Sequence, residues 1–230
     1  MDTRFWGPSG WSLLHAMASA YQPTPANTTK YRHFFDSLPV ILPCIYCRQS
    51  LTQYFQELPL RNSDLQSNLT LQHWLYQIHE KVNNKLRSQG LDVVETPPFA
   101  DVVQKYQGSE DDMCLHGWDF LYAIAMNYPT EQSRITTQLR HNYRIFFDSL
   151  ADLFPNPTIC RLITRYRKEL PLSPCLESRD YLVKWLYGIE NQSMENCPCF
   201  DARCQSIERY RAGCKGKWGE KPTCRRIKRS

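Results

Sequence analysis

Pro43-Cys44-Ile45-Tyr46-Cys47 places a Cys-x-x-Cys pair directly before a helical run, and His79, Val82, Asn83 and Leu86 follow further along at helical spacing. Two thiols held that close at a helix N-terminus, near its amides and the positive end of its dipole, favour the thiolate and rapid dithiol–disulfide exchange. The same spacing also serves as half of a zinc site or as a static disulfide. On these residues alone, redox chemistry, metal binding and plain structure all stay open.

The elements that must hold the pair read as helices. Trp11, Leu14, His15 and Ala18 share one stripe, as do Leu51, Tyr54, Phe55 and Leu58, and as do Leu71, Trp74, Leu75, Ile78 and Val82. This three- and four-residue spacing is that of an amphipathic helix. Prolines 23, 25, 39, 43 and 59 punctuate the chain between them, and no sustained alternation predicts a strand.

The chain also repeats itself. Tyr31-Arg32-His33-Phe34-Phe35-Asp36-Ser37-Leu38 recurs as Tyr143-Arg144-Ile145-Phe146-Phe147-Asp148-Ser149-Leu150, and the gapless register to Leu60 and Leu172 holds 14 identities in 30 positions. Gly10-Trp11 matches Gly117-Trp118, and Trp74-Leu75-Tyr76 matches Trp185-Leu186-Tyr187. The predicted fold is all-α: two tandem bundles, each of four helices plus a short extra one. The expected boundaries are 1–108, 109–196 and a basic, Cys-rich tail at 197–230, with Gly108 to Asp112 as linker. In the second copy Asn156 and Ile159 replace Cys44 and Cys47, while Tyr122, Glu190 and Met194 replace His15, His79 and Asn83. A copy that keeps its apolar faces but loses its reactive groups reads as a packing partner or a partner-binding surface.

At 230 residues each half is long enough to bury a core. No run approaches the roughly 18 apolar residues of a membrane span, and the start lacks the apolar segment of a secretory signal. The chain is therefore expected to stay where it is made. Asn-x-Ser/Thr triplets at Asn27, Asn68 and Asn191 then carry no weight. Ten cysteines without an export signal point to catalysis, metal, or a protein that makes its own oxidising surroundings. The segment from Cys197 onward holds 10 Lys/Arg against 3 Asp/Glu and so concentrates the positive charge of a chain whose net charge is +5. It could bind nucleic acid or simply be a solvated terminus.

With those residues assembled, the first copy resembles the Erv/ALR family of FAD-linked sulfhydryl oxidases. The family's Trp-x-x-x-His, Cys-x-x-Cys and Val-Asn-x-x-Leu patterns read here as Trp11 to His15, Cys44 to Cys47, and His79-Glu80-Lys81-Val82-Asn83-Asn84-Lys85-Leu86. The resemblance covers Phe5 to Gln107. Two positions depart from the pattern: Gln77 stands where the family often has a second His, and Glu80 where it commonly has Asn. The resemblance implies an Erv-type bundle and FAD as cofactor, with Trp11, His15, Trp74, His79, Val82, Asn83, Lys85, Leu86, Lys105 and Tyr106 around it and no resident metal. Pro98-Phe99 and Lys105-Tyr106 resemble the segment that closes over the adenosine end. Taken singly, each of the Trp and His residues also has an ordinary packing role.

The implied chemistry moves electrons from thiol-containing protein substrates through Cys44 and Cys47 to FAD and then to oxygen, giving hydrogen peroxide. Cys44 is expected to be the more exposed, exchanging thiol and Cys47 to lie against the isoalloxazine. Family members often relay electrons through a mobile second pair, for which Cys197, Cys199 and Cys204 are candidates, with a structural disulfide or zinc as the other readings of that cluster. The viral members of the family are the nearest in kind, which implies host cytoplasm or virion as location. The expected state is a monomer with an internal pseudo-dimer, or a homodimer. The competing reading is a zinc-stabilised nucleic-acid or scaffold-binding protein with a basic Cys-rich tail.

Overall fold

The structure is a computed structural model that describes residues 3–91, 93–107, 117–194, 197, 199–211, 217–218 and 221–222. The first bundle comprises α1 (Thr3–Ser19), α2 (Pro25–Ile41), α3 (Ile45–Glu57), a 3-10 turn at Asn62–Leu65, α4 (Asn68–Ser88) and the short α5 (Phe99–Tyr106). The second comprises α6 (Trp118–Asn127), α7 (Thr137–Leu153), α8 (Pro157–Glu169), α9 (Leu172–Cys175), α10 (Arg179–Ser193) and α11 (Phe200–Arg211). The fold is all-α; a two-residue antiparallel ladder pairs Lys217–Trp218 (β1) with Lys221–Pro222 (β2). The expected linker at 108–112, and Cys114, Cys214 and Cys224, lie outside the described residues.

Local signals start the helices at matching places in both copies. Thr24 caps α2 by accepting from the Asn27 amide, and Thr136 caps α7 by accepting from the Leu139 amide. Ser67 and Ser178 cap α4 and α10 in the same way, through the amides of Thr70 and Tyr181. Each such cap satisfies an amide that the helix cannot, worth about 1 kcal/mol.

The buried polar contacts repeat as well. The Tyr21 hydroxyl donates to the Leu65 carbonyl at 2.8 Å, and its counterpart Tyr128 to that of Leu176 at 2.7 Å. Trp74 Nε1 donates to the Leu58 carbonyl at 3.1 Å, and Trp185 to that of Leu170 at 3.0 Å. Tyr31 donates to the carbonyl of Met17, and Tyr143 to that of Ile124. Duplication has thus preserved the hydrogen bonds that fix each core, along with its apolar pattern.

The two bundles meet through equivalent helices, α2 against α7 and α1 against α6. Phe34 stacks on Phe146 with ring centroids 5.1 Å apart and planes 18° apart, and both rings are fully buried. These residues are counterparts, so the stack marks a pseudo-twofold axis of the kind a self-complementary dimer face requires. Around it, a Cβ on Gly10 would lie 2.9 Å from the Phe120 ring, and one on Gly117 would lie 3.2 Å from Leu13. Phe120 and Leu13 are themselves counterparts. The small residues at these two places let α1 and α6 approach closely.

The structure differs from expectation at the start of the tail. α11 packs on α6, its Ile207 is fully buried, and Phe200 meets Tyr187 at 5.2 Å as Phe99 meets Tyr76 at 5.4 Å. α11 is therefore the second copy's α5. A much shorter connection precedes it, which breaks the repeat register and hides the match in the sequence.

Removing the ring at the axis should be felt by both bundles at once. Phe34→Ala is expected to lower stability by about 3–5 kcal/mol, read from the denaturant midpoint, with both copies still melting in one transition.

Candidate functional site

Cys44 occupies the N-cap position of α3, with extended backbone at φ −115° and ψ 123°, and its side chain makes no capping bond. At the same place on α8, Asn156 Oδ1 accepts from the amides of Thr158 at 2.8 Å and Ile159 at 3.1 Å. The first copy gives up a cap to put a thiol there. Cys44 is 1% exposed and Cys47, on the first turn, is half-buried. This reverses the expected order of exposure, because the Leu42-Pro43 approach tucks residue 44 into the core and turns the next helical turn outward.

On α1, α4 and α5, four rings gather. His15 Nε2 lies 3.0 Å from His79 Nδ1, His79 stacks on Trp11 at 3.8 Å with planes 8° apart, and Tyr106 of α5 stacks on His15 at 5.4 Å. Ser19 Oγ holds the backbone carbonyl of Tyr106 at 2.9 Å, so α5 is latched over α1. Burial, reinforced by the charges at His79 and Lys105, pulls His15 down to about 3, and burial pulls His79 down to about 4. Both rings are therefore neutral near pH 7. His15 Nδ1 is buried without a hydrogen-bond partner, as is Gln72 Oε1 two turns before His79 on α4. A polar atom left so costs about 1–3 kcal/mol, and a bound ligand atom would satisfy His15 Nδ1.

The other expected residues divide. Asn83 Nδ2 donates to Thr96 Oγ1 at 3.2 Å and pins the 93–96 segment beside α4. Along that segment, a cavity of about 390 Å³ is lined by Glu80, Arg87, Val93, Glu95 and Thr96. Lys105 lies over the Tyr106 ring at 5.4 Å. Lys85 instead reaches α3, donating to Ser50 Oγ at 2.5 Å. Val82 packs on the core, and Leu86 lends its carbonyl to the Leu91 amide in the turn that ends α4. Trp74 meets Phe35 and Phe55, and its counterpart Trp185 meets Phe147, the counterpart of Phe35, so both rings pack in their cores. Sequence reading missed Gln72, Ser19 and Arg87. A lone polar residue on an apolar stripe was the available signal for Gln72.

The second copy fills the corresponding place with its own side chains. The Tyr122 hydroxyl donates to Glu190 Oε2 at 2.7 Å, in the position of the His15–His79 pair. Arg203 of α11 donates to both oxygens of the fully buried Glu190, pairs with Asp119 at 3.1 Å, and lies over the Tyr122 ring at 4.9 Å. Burial opposes the Arg203 charge, but the Glu190 and Asp119 carboxylates outweigh it and raise the pKa. Burial and Glu190 together hold the Tyr122 phenol well above its ordinary value.

Three thiols outside the pair, Cys160, Cys175 and Cys197, have raised pKa values. Burial pushes Cys160 up to about 11 and raises Cys175. Burial, then the Glu190 carboxylate, raises Cys197. Of the candidates for a mobile relay, Cys197 and Cys199 precede α11 and Cys204 lies within it, next to Arg203, which is tied to the second bundle.

A helical bundle with a Cys-x-x-Cys at one helix start and a buried, neutral ring cluster on its neighbours defines a class, and comparison with known proteins identifies it. The sequence model of the Erv1/Alr family matches residues 8–100. A putative FAD-linked sulfhydryl oxidase of Invertebrate iridescent virus 6 is 32% identical over 92 residues, covering 37% of this chain and 83% of that protein. A probable FAD-linked sulfhydryl oxidase of Acanthamoeba polyphaga mimivirus is 35% identical over 85 residues, 36% of this chain and 59% of that one. The mitochondrial FAD-linked sulfhydryl oxidase of Saccharomyces cerevisiae is 32% identical, over 40% of this chain and 48% of that protein. The chain thus spans only about half of the length of these last two relatives. No solved structure matches. The chain belongs to the Erv1/Alr family.

Nothing in these comparisons points to a zinc-stabilised nucleic-acid-binding protein. Among the described residues, no group of three or more His, Cys, Asp or Glu side chains is placed to hold a metal ion. No described helix is long and apolar enough to cross a membrane.

Histidines in the unfolded chain titrate near 6.5, above their folded values of about 3 and about 4, so below pH 6.5 the unfolded state takes up more protons. The stability this pair contributes is complete above pH 6.5 and is lost as pH falls through about 4 toward about 3. The melting temperature should drop over that window, with a shallower slope in the His15→Gln/His79→Gln double variant. In the second copy, Arg203→Ala leaves a buried carboxylate without its cation and should cost about 3–5 kcal/mol in chemical denaturation, most of it recovered by Arg203→Met with Glu190→Leu.

Proposed function

We propose that this chain is an FAD-linked thiol oxidase acting on protein dithiols. The observation that carries the reading is the buried His15 Nδ1, an unpaired polar atom among three stacked rings in the family-matched bundle that also bears Cys44 and Cys47. Trp11, His79 and Tyr106 offer the flat apolar walls that a flavin ring needs, and His15 Nδ1 and Gln72 Oε1 offer polar atoms to bond it. Asn83, Arg87 and Lys105, around the 93–96 segment and α5, are suited to the dinucleotide end. FAD, when bound, would accept an electron pair from a dithiol and pass electrons on to oxygen.

The residues of the chain have distinct tasks in this scheme. A substrate thiolate attacks one sulfur of the oxidised Cys44–Cys47 pair, the second substrate thiol resolves the mixed disulfide, and the pair is left reduced. Neutral His15 and His79 keep positive charge out of the ring cluster and can carry a hydrogen bond without a proton change. The net reaction converts two protein thiols and oxygen to a disulfide and hydrogen peroxide.

The second bundle has no part in the chemistry. Arg203 and Glu190 close its equivalent cavity, and it covers the α1–α2 face of the first bundle, so the chain works as a monomer with an internal pseudo-dimer. The oxidase bundle is taken as 1–108; the second copy runs through α11 and the tail follows it. The similarity to viral proteins supports a viral source with action in the host cytoplasm or virion.

Purified protein should be yellow, with one flavin per chain, and should consume oxygen with dithiothreitol. Cys44→Ala and Cys47→Ala should each lower that rate by at least about a hundredfold, while Cys160→Ala and Cys175→Ala leave it unchanged. Colourless protein without oxygen uptake would remove the assignment.

A further inference from the structure

Arg48 follows Cys47 directly. Its Nη1 donates to the carbonyl of Leu42 at 2.6 Å, so the side chain runs back along the start of α3 toward the residues that precede Cys44. Chain geometry then holds the guanidinium within roughly 10 Å of the Cys44 sulfur, no more than a Debye length at moderate salt. The Arg48 side chain is half-buried, so water screens its charge less than on an open surface.

The internal repeat supplies a control. The counterpart of Arg48 is Cys160, and the counterpart of Leu42 is Phe154. Cys160 Sγ bonds the Phe154 carbonyl at 3.1 Å, so the same carbonyl is satisfied in both copies by a donor at the same position. In the second copy that donor is a neutral thiol. The fold therefore needs a donor at this position and does not need a charge, yet a cation is present in the copy that bears the dithiol.

We propose that Arg48 is a positioning residue whose fixed positive charge stabilises the thiolate of the reduced Cys44–Cys47 pair. The ionisation is simple: one thiol of the pair releases its proton to solvent, and the sulfur keeps the electron pair and the negative charge. The other groups around α3 stay the same when Arg48 is replaced. On α4, Lys81 ends on Glu57, and Lys85 ends on Ser50, one helical turn beyond Cys47. On α2, Arg32 is bound to Leu60 and Asn62, with His33 and Asp36 beside it in sequence, and the Asp36 carboxyl is raised by burial. From α7 comes the neutral Tyr143 phenol. The proposal rests on Cys44 and Cys47 being the exchanging pair, but its test needs neither flavin nor oxygen, so it can fail separately from the oxidase reading.

The full chain is reduced and treated with iodoacetamide from pH 5 to pH 10, and alkylation is followed on the peptide carrying Cys44 and Cys47 by mass spectrometry. Arg48→Gln keeps a neutral donor for the Leu42 carbonyl, as the second copy does, and should lower the alkylation rate at pH 7 by about tenfold by raising the apparent pKa about one unit. Arg48→Lys should restore the wild-type profile. Arg48→Ala, which also loses the donor, should shift as Arg48→Gln does. Unchanged profiles in both neutral variants overturn the proposal, as does a shift in Arg48→Ala alone or one that Arg48→Lys fails to reverse. If Arg48→Gln does not fold, circular dichroism will show it, and Arg48→Ala against Arg48→Lys decides the matter.

Discussion

Phe34 and Phe146 stack because the chain presents the same helix face twice, and each copy needs the other to bury it. α1 and α2 carry apolar residues on the side away from their own bundle's centre as well as toward it, and a helix that is apolar on more than one side has to be enclosed. Enclosing it against an equivalent surface gives a contact that is complementary by construction, with Gly10 facing Phe120 and Gly117 facing Leu13. Everything else hangs from this seam. It fixes α2, which holds α3 and the dithiol, and it fixes α1, which carries Trp11 and His15 toward α4.

One position shows how the two copies have parted. Where the first bundle joins α1 to α4 through His15 and His79, the second joins α6 to α10 through Tyr122 and Glu190, and the helix-to-helix bond survives the change of chemistry. In the first, the bond leaves a ring nitrogen unsatisfied and faces aromatic walls. In the second, Arg203 enters from α11 and every member of the cluster has a partner. A satisfied polar network is rigid and closed, whereas an incomplete one among apolar walls is a place for a ligand. The same logic runs through Cys44 and Asn156, a thiol where a cap should be and the cap itself.

Much of this was legible before the structure. Helical periodicity and the repeated Tyr-Arg-x-Phe-Phe-Asp-Ser-Leu segment act over short distances, so the sequence shows them directly. Trp11, His15 and His79 were also findable, since they lie on stripes that face one another. Trp74 lies on an apolar stripe in the sequence and packs against Phe35 and Phe55 in the structure. The exposure of Cys44 and Cys47 was misread, because it depends on how the turn after Leu42 packs.

The sequence alone determined the helical class, the duplication, and which copy keeps the dithiol, because periodicity, repeats and residue type need no third dimension. Only the tertiary structure decided that the two copies close on each other around a pseudo-twofold axis, that α11 belongs to the second bundle, and that Arg203 seals it. It also decided that Arg48 turns back over the start of α3. These facts depend on contacts between segments far apart in the chain, and a spacing rule read along one segment carries no information about what another segment brings to meet it.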